Sequence, residues 1–200
     1  MITRSSARHR RTLLGVALTA LATVAAIATI LSVGGTTAAS APTIVRPELD
    51  LGADGSVPDG VSVFDDDVPA VARLEPALLA ALRRAAAAAA AEDVSFVVNS
   101  GWRSAEYQER LLREAVADYG SAEEAARWVA TAQTSPHVTG QAVDLGPVDA
   151  TSWLSQHGAE YGLCQIYANE PWHFELRDIA TDGSCPAMYA DPTDDPRMRS

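Results

Sequence analysis

The chain has 200 residues, 48% hydrophobic and 20% charged, with 15 basic against 26 acidic side chains and a formal net charge of −11. That length suits one domain, the apolar fraction excludes wholesale disorder, and the acidic balance argues against nucleic acid, whose binding needs cationic side chains against phosphates. The charge is uneven: Arg4, Arg8, Arg10 and Arg11 stand in residues 1–41 with no acid, so the remainder carries 11 basic and 26 acidic residues, a net of −15.

In chain order, the Arg4–Arg11 patch precedes an uncharged apolar run, Leu13–Val33. A positive patch followed by such a run is the export pattern. The run is longer than the roughly 7–15 residues of a secretory core and close to the roughly 20 that span a bilayer. Ala39-Ser40-Ala41 offers a cleavage site, but Pro42 follows it directly. Residues 1–41 therefore read as either a cleaved signal or a retained membrane anchor, and either places the rest outside the cytoplasm. Residues 42–69, rich in Pro, Gly and Asp, read as a tether or an extended arm wrapping the domain of residues 70–200. Asp65-Asp66-Asp67 lacks the alternating ligands and glycine of an EF-hand loop and reads as a solvated acidic turn.

Pro76 in a first turn and a long Ala tract predict a helix over Glu75–Ala91, with Leu78, Leu79 and Leu82 as its apolar stripe. Ser95–Ser100 reads as a short buried strand, broken by Gly101-Trp102-Arg103. Ser104 can cap a helix carrying Tyr107, Leu111, Leu112 and Val116 on one face and ending near Gly120. Ser121-Ala-Glu-Glu124 is a capping box, predicting a third helix to about Ala132. A polar loop, Thr134–Gly140, leads into a strand at Gln141–Leu145. A helix near Thr151–His157 and strands at Cys164–Tyr167 and Trp172–Leu176 complete an α+β domain with a small antiparallel sheet. Cys164 and Cys185 are expected to form a disulfide, since an exported protein sits where disulfides persist and no CxxC spacing suggests a metal pair. Closing a loop of about 20 residues contributes roughly 3 kcal/mol in the chain-entropy account.

Three segments carry chemistry: Ser135-Pro-His137-Val-Thr-Gly140-Gln-Ala-Val-Asp144, Glu170-Pro-Trp172-His173, and Ser100-Gly-Trp102-Arg103-Ser104 with Gln108 one turn on. Two imidazoles and a carboxylate, from His137, Asp144 and His173, suit a catalytic zinc with an open position. Glu170 can act as general base toward a metal-activated water, and Arg103 can meet a developing oxyanion. Singly, each residue has a plainer reading: a loop histidine, a strand-end carboxylate, and for Trp172 core packing or a pocket wall. His9 and His157 have no comparable neighbours and take no role.

Together the segments resemble the D-alanyl-D-alanine carboxypeptidase family of zinc peptidases, which includes the VanY and VanX enzymes of vancomycin resistance. The family's S-x-H-x-x-G-x-A-x-D, E-x-W-H and S-G-x-R-S patterns stand complete as Ser135, His137, Gly140, Ala142 and Asp144, as Glu170, Trp172 and His173, and as Ser100, Gly101, Arg103 and Ser104. The resemblance covers roughly residues 70–190. It implies a helix-flanked antiparallel sheet shared with hedgehog-type domains, Zn²⁺ on His137, Asp144 and His173, Glu170 as base and then acid, and Arg103 polarising the scissile carbonyl. It places Ser135, and by a weaker match Gln108, at the substrate, and Trp172 is expected with them as a substrate-binding residue. The implied reaction removes the terminal D-Ala from peptidoglycan stem peptides or precursors. The alternatives are an endopeptidase with the same metal site and a zinc-bearing binding module. The resemblance implies stem peptides as partners, while the acidic charge argues against nucleic acid and the N-terminal segment, if retained, makes the membrane a partner.

Overall fold

A computed structural model describes residues 52–199, so the export segment and the first part of the 42–69 stretch lie outside the described residues. A single turn, α1 (Pro69–Ala72), leads into α2 (Pro76–Ala90), where Pro76 occupies the first helical position. Leu78, Ala81, Leu82, Ala85, Ala86 and Ala89 are buried along one face of α2, the three- and four-residue spacing of an amphipathic helix. Leu78 and Leu82 are wholly buried, worth roughly 1.5–3 kcal/mol each in transfer terms. Ahead of α1, Val61 and Val63 join the same core, and Val98 N donates to Val61 O at 2.8 Å. The Asp65–Asp67 turn is exposed, with Asp66 paired to Arg83. Among the described residues no helix is long and apolar enough to cross a membrane.

Strand β1 (Val97–Ser100) is followed by α3 (Ala105–Tyr119), capped by Ser104 Oγ accepting from Tyr107 N at 3.0 Å and ended by Gly120 at φ +82°. The expected apolar stripe of α3 is only half-buried, and its buried residues are Gln108 and Ala115. This face lines a cleft instead of the core, with Leu111 in its wall. The third helix is shorter than its capping box suggests. α4 spans Ala122–Ala125, and the turn that follows is held by side chains from elsewhere in the fold. Asn169 Nδ2 donates to Arg127 O and Gln108 Nε2 to Ala130 O, each at 2.8 Å.

β2 (Ala142–Gly146), α5 (Val148–His157), β3 (Leu163–Gln165) and β4 (His173–Leu176) complete a four-stranded antiparallel sheet in the order β1-β2-β4-β3. Alternation along the strands sends Val143, Leu145 and Phe174 into the core with α2 and α5, and Asp144, His173 and Glu175 to the other face. Phe96 meets Trp153 edge to face at 5.9 Å within that core. A bulge between Val98 and Ser100 resets the β1 register, so Ser100 pairs with Asp144, and Asp144 with His173. Three motif residues therefore stand in one row across three strands. Cys164 and Cys185 form the expected disulfide, with Cα atoms 5.6 Å apart, and tie the C-terminal segment to β3.

Two motif glycines have packing reasons. A Cβ on Gly101 would lie 2.1 Å from Ala70 O of α1, and one on Gly140, at φ +73°, 2.4 Å from Arg73 O. The α1–α2 corner thus rests directly on both loops of the site, where Trp102 N donates to Ala70 O and Glu75 N to Gly140 O, each at 2.8 Å. Gly101→Ala is expected to cost about 1–3 kcal/mol as an overpacking defect against backbone. Urea unfolding measures this, and an unshifted midpoint would show that the corner moves freely.

Candidate metal centre

His137 arrives on the turn after Ser135, Asp144 on β2 and His173 at the start of β4. All three are buried, and one ligand atom from each lies within 4.8 Å of the others. The edges of the triangle are 3.1 Å from His173 Nδ1 to Asp144 Oδ1, 3.3 Å between His137 Nε2 and His173 Nδ1, and 3.4 Å from His137 Nε2 to Asp144 Oδ1. Ligand atoms around a tetrahedral ion at roughly 2.0–2.1 Å sit roughly 3.3–3.4 Å apart, so the triangle has the size of one tetrahedral face.

The outer nitrogen of each ring fixes the same orientation. His137 Nδ1 donates to Gly101 O at 2.8 Å and His173 Nε2 to Glu175 Oε1 at 3.2 Å. The inner nitrogens, Nε2 of His137 and Nδ1 of His173, therefore face each other and Asp144 Oδ1, the arrangement by which outer hydrogen bonds orient metal-ligating histidines. Two imidazoles and a carboxylate oxygen match the donor chemistry of a zinc site, so the residues fit the expected ion.

The electrostatics agree. Burial pushes His137 below its usual pKa, and Arg103 adds to that effect. Asp144 is held well below the carboxylate range: burial would raise it, but His137, His173 and Arg103 outweigh that. Burial would also lower His173, yet its bonds to Asp144 and Glu175 push it up to about 9. A cation and a proton therefore compete for His173 Nδ1, and metal binding there is coupled to proton release.

Arg103 follows the β1 bulge. Its Nε donates to Ser100 Oγ at 2.8 Å, Nη1 to Gln108 Oε1 at 3.1 Å and Nη2 to Asp144 Oδ2 at 2.9 Å. These bonds fix the plane of the guanidinium beside the ligand cluster, and its remaining N–H donors belong to a group that lines the cleft. Gln108, expected at the substrate, is wholly buried and has Oε1 committed to Arg103 and Nε2 to Ala130 O. Its position makes it a brace for Arg103. Glu170 sits on the turn before β4, with Oε2 3.7 Å from His173 Nδ1. Burial, with Asp144 adding to it, pushes its carboxyl up to about 7.

The site opens into a cleft of about 440 Å³ whose lining includes Arg103, Ser135, Glu170, Trp172, Leu111 and Trp128. Ser135 is buried in its wall, and Trp172 is exposed on it. Sequence reasoning missed Glu175. The signal was present, because two residues after His173 on one strand is the same face.

A family model described as VanY, D-alanyl-D-alanine carboxypeptidase, matches residues 71–178. The D-alanyl-D-alanine carboxypeptidase of Enterococcus faecalis (strain ATCC 700802 / V583) is 34% identical over 114 residues, covering 44% of this chain and 42% of the relative. The chain thus matches under half the length of that relative. Among solved structures, VanYB in complex with D-alanine-D-alanine is 27% identical and has a TM-score of 0.50, covering 52% of this chain and 72% of its own. A vancomycin-resistance D,D-pentapeptidase VanY in complex with Zn(II) is also 27% identical with the same coverage, at a TM-score of 0.49.

Proposed function

Since the chain belongs to the VanY family of D-alanyl-D-alanine carboxypeptidases, we propose that it is a zinc-dependent carboxypeptidase removing the terminal D-Ala from peptidoglycan stem peptides or their precursors. The observation that carries this reading is the convergence of His137, Asp144 and His173 with Glu170 and Arg103 at the edge of the same cleft.

When bound, Zn²⁺ supplies a Lewis acid and a water of pKa lowered toward about 7. The chain's own residues do the rest. Glu170, ionised, takes a proton from the attacking water and returns it to the leaving amine nitrogen. Arg103 offers N–H donors where negative charge develops on the scissile carbonyl oxygen, an interaction made only in the transition state. Ser135 hydrogen-bonds the peptide, and Trp172 shields one side of the reacting bond. Gln108 and Ser100 hold the guanidinium in place. The basic patch and apolar run of residues 4–33 support placing this reaction outside the cytoplasm, where wall peptides are met.

Arg103→Lys keeps a positive charge but cannot serve Ser100, Gln108 and Asp144 at once. Its kcat is expected to fall about 100-fold with zinc retained, read by steady-state kinetics beside metal analysis. An undiminished kcat removes Arg103 from the chemistry. The reading as a whole is tested by digesting a panel of defined muropeptides, free pentapeptide stems and cross-linked dimers, and weighing the products. Loss of single terminal alanines supports the carboxypeptidase. Cleavage confined to internal or cross-bridge bonds assigns an endopeptidase, and no cleavage by zinc-loaded protein assigns a binding module.

A further inference from the structure

Residues 179–199 lie beyond the stretch matched by the family, yet they return to the His173 side of the sheet. The disulfide begins the return, and a bridge from Tyr189 to Tyr167 continues it. Asp191 accepts from Thr193 N and from Arg127 Nε, each at 2.9 Å. The short turn Pro196–Arg199 then brings Arg197 to two buried carboxylates. Arg197 Nη1 donates to Glu175 Oε2 at 2.8 Å and Nη2 to Glu175 Oε1 at 3.2 Å, while Nε reaches Asp195 Oδ1 at 3.1 Å and Oδ2 at 3.0 Å. Asp195 is completely buried and also accepts from Tyr167 Oη at 3.0 Å. Glu175 Oε1, one of the two oxygens Arg197 grips, is the atom that accepts from His173 Nε2.

We infer that this C-terminal turn is a working part of the metal centre, with Arg197 as a positioning residue that acts on His173 through Glu175. A buried carboxylate needs its charge paired and its oxygens oriented. The planar arginine fork does both, because two parallel N–H bonds fix the carboxylate plane. With that plane set, Oε1 accepts from His173 Nε2–H, which keeps the Nδ1 lone pair on the ligand cluster and makes it a stronger donor. Arg177 also approaches Glu175, but its Nη2 meets Oε2 at 3.0 Å. It adds charge on the oxygen that does not touch His173. Asp195 holds the other side of the fork, so the unit runs Asp195, Arg197, Glu175, His173.

This inference rests on the zinc reading above, and the test separates the two. Zinc affinity is measured by chelator competition on the full chain for the parent, Arg197→Ala, Arg197→Lys, Glu175→Gln, the double variant Glu175→Gln with Arg197→Ala, and Arg199→Ala, with each fold checked by circular dichroism. Arg197→Ala is expected to weaken zinc binding by about 10–100-fold, the usual cost of losing a partner behind a metal ligand. Because Arg197 acts through Glu175, its removal from the Glu175→Gln background should cost little more. Arg199→Ala, whose guanidinium donates to Thr193 O, should bind as the parent does. If Arg197→Ala does not fold, Arg197→Lys carries the test, since a single ammonium cannot reproduce the fork, and it too should bind more weakly. Parental affinity in a folded Arg197 variant overturns the inference, as does an equal loss with and without Glu175. A matching loss in Arg199→Ala assigns the effect to docking of the segment and also overturns it. A parent that binds no zinc overturns the zinc reading and this inference together.

Discussion

Glu170→Gln is expected to lose about 100- to 10,000-fold in kcat while the protein keeps its metal, the range that general acid–base catalysis supplies. The substitution removes the proton-accepting oxygen and little else. Glu170 is not one of the three converging ligand residues, and the amide has nearly the same shape. Burial and the nearby Asp144 push its carboxyl up to about 7 when no ion is bound, the direction that makes a carboxylate a better proton acceptor. A bound dication beside it favours the ionised form needed at the start of the cycle. Rapid-quench kinetics with metal analysis on the same sample check this. Full activity in the metal-loaded variant would reassign the general base.

His137→Ala is expected to lose zinc and activity together. It removes one corner of the triangle and leaves Asp144 and His173 unable to enclose an ion. The carbonyl of Gly101, which accepts from His137 Nδ1, also loses its partner at the turn that leads to Arg103. Activity should fall to background at any zinc concentration that saturates the parent, and metal analysis after gel filtration should find the variant empty. The two variants together dissociate the chemistry from the ion: one binds without turning over, the other does neither. A His137→Ala protein that retains zinc at parental affinity would mean the ion is held elsewhere.

Much of this was legible in the chain itself. Side-chain types at motif spacing identified His137, Asp144, His173, Glu170 and Arg103, and the structure brings all five to one cleft. Helix α2 could be read from Pro76 and the alanine tract, and α3 from Ser104 and Gly120, because capping and propensity are local. What was not legible depends on contacts between distant residues. The third helix gives way to a turn after Ala125, and Gln108 and Asn169, both distant in the chain, hold carbonyls of the stretch beyond it. The β1 bulge that sets Ser100 beside Asp144 has no sequence mark, since it is a property of the pairing. Gln108, expected at the peptide, borders the cleft but is buried, with its amide bonded to Arg103 and to Ala130 O. Arg197, at the end of a segment with no periodic pattern, meets Glu175 only after the disulfide turns the chain back.

On the proposed reading, His137, Asp144 and His173 hold the zinc ion with which this protein removes a terminal D-Ala. Mass spectrometry of a pentapeptide stem ending in D-Ala-D-Ala, incubated with zinc-loaded protein, with chelator, and with zinc restored after chelation, decides between this reading and its rivals. The expected product is a tetrapeptide shortened by one alanine, lost with chelator and regained with zinc. An intact pentapeptide with the zinc-loaded protein, or cleavage indifferent to the chelator, would rule out this zinc carboxypeptidase.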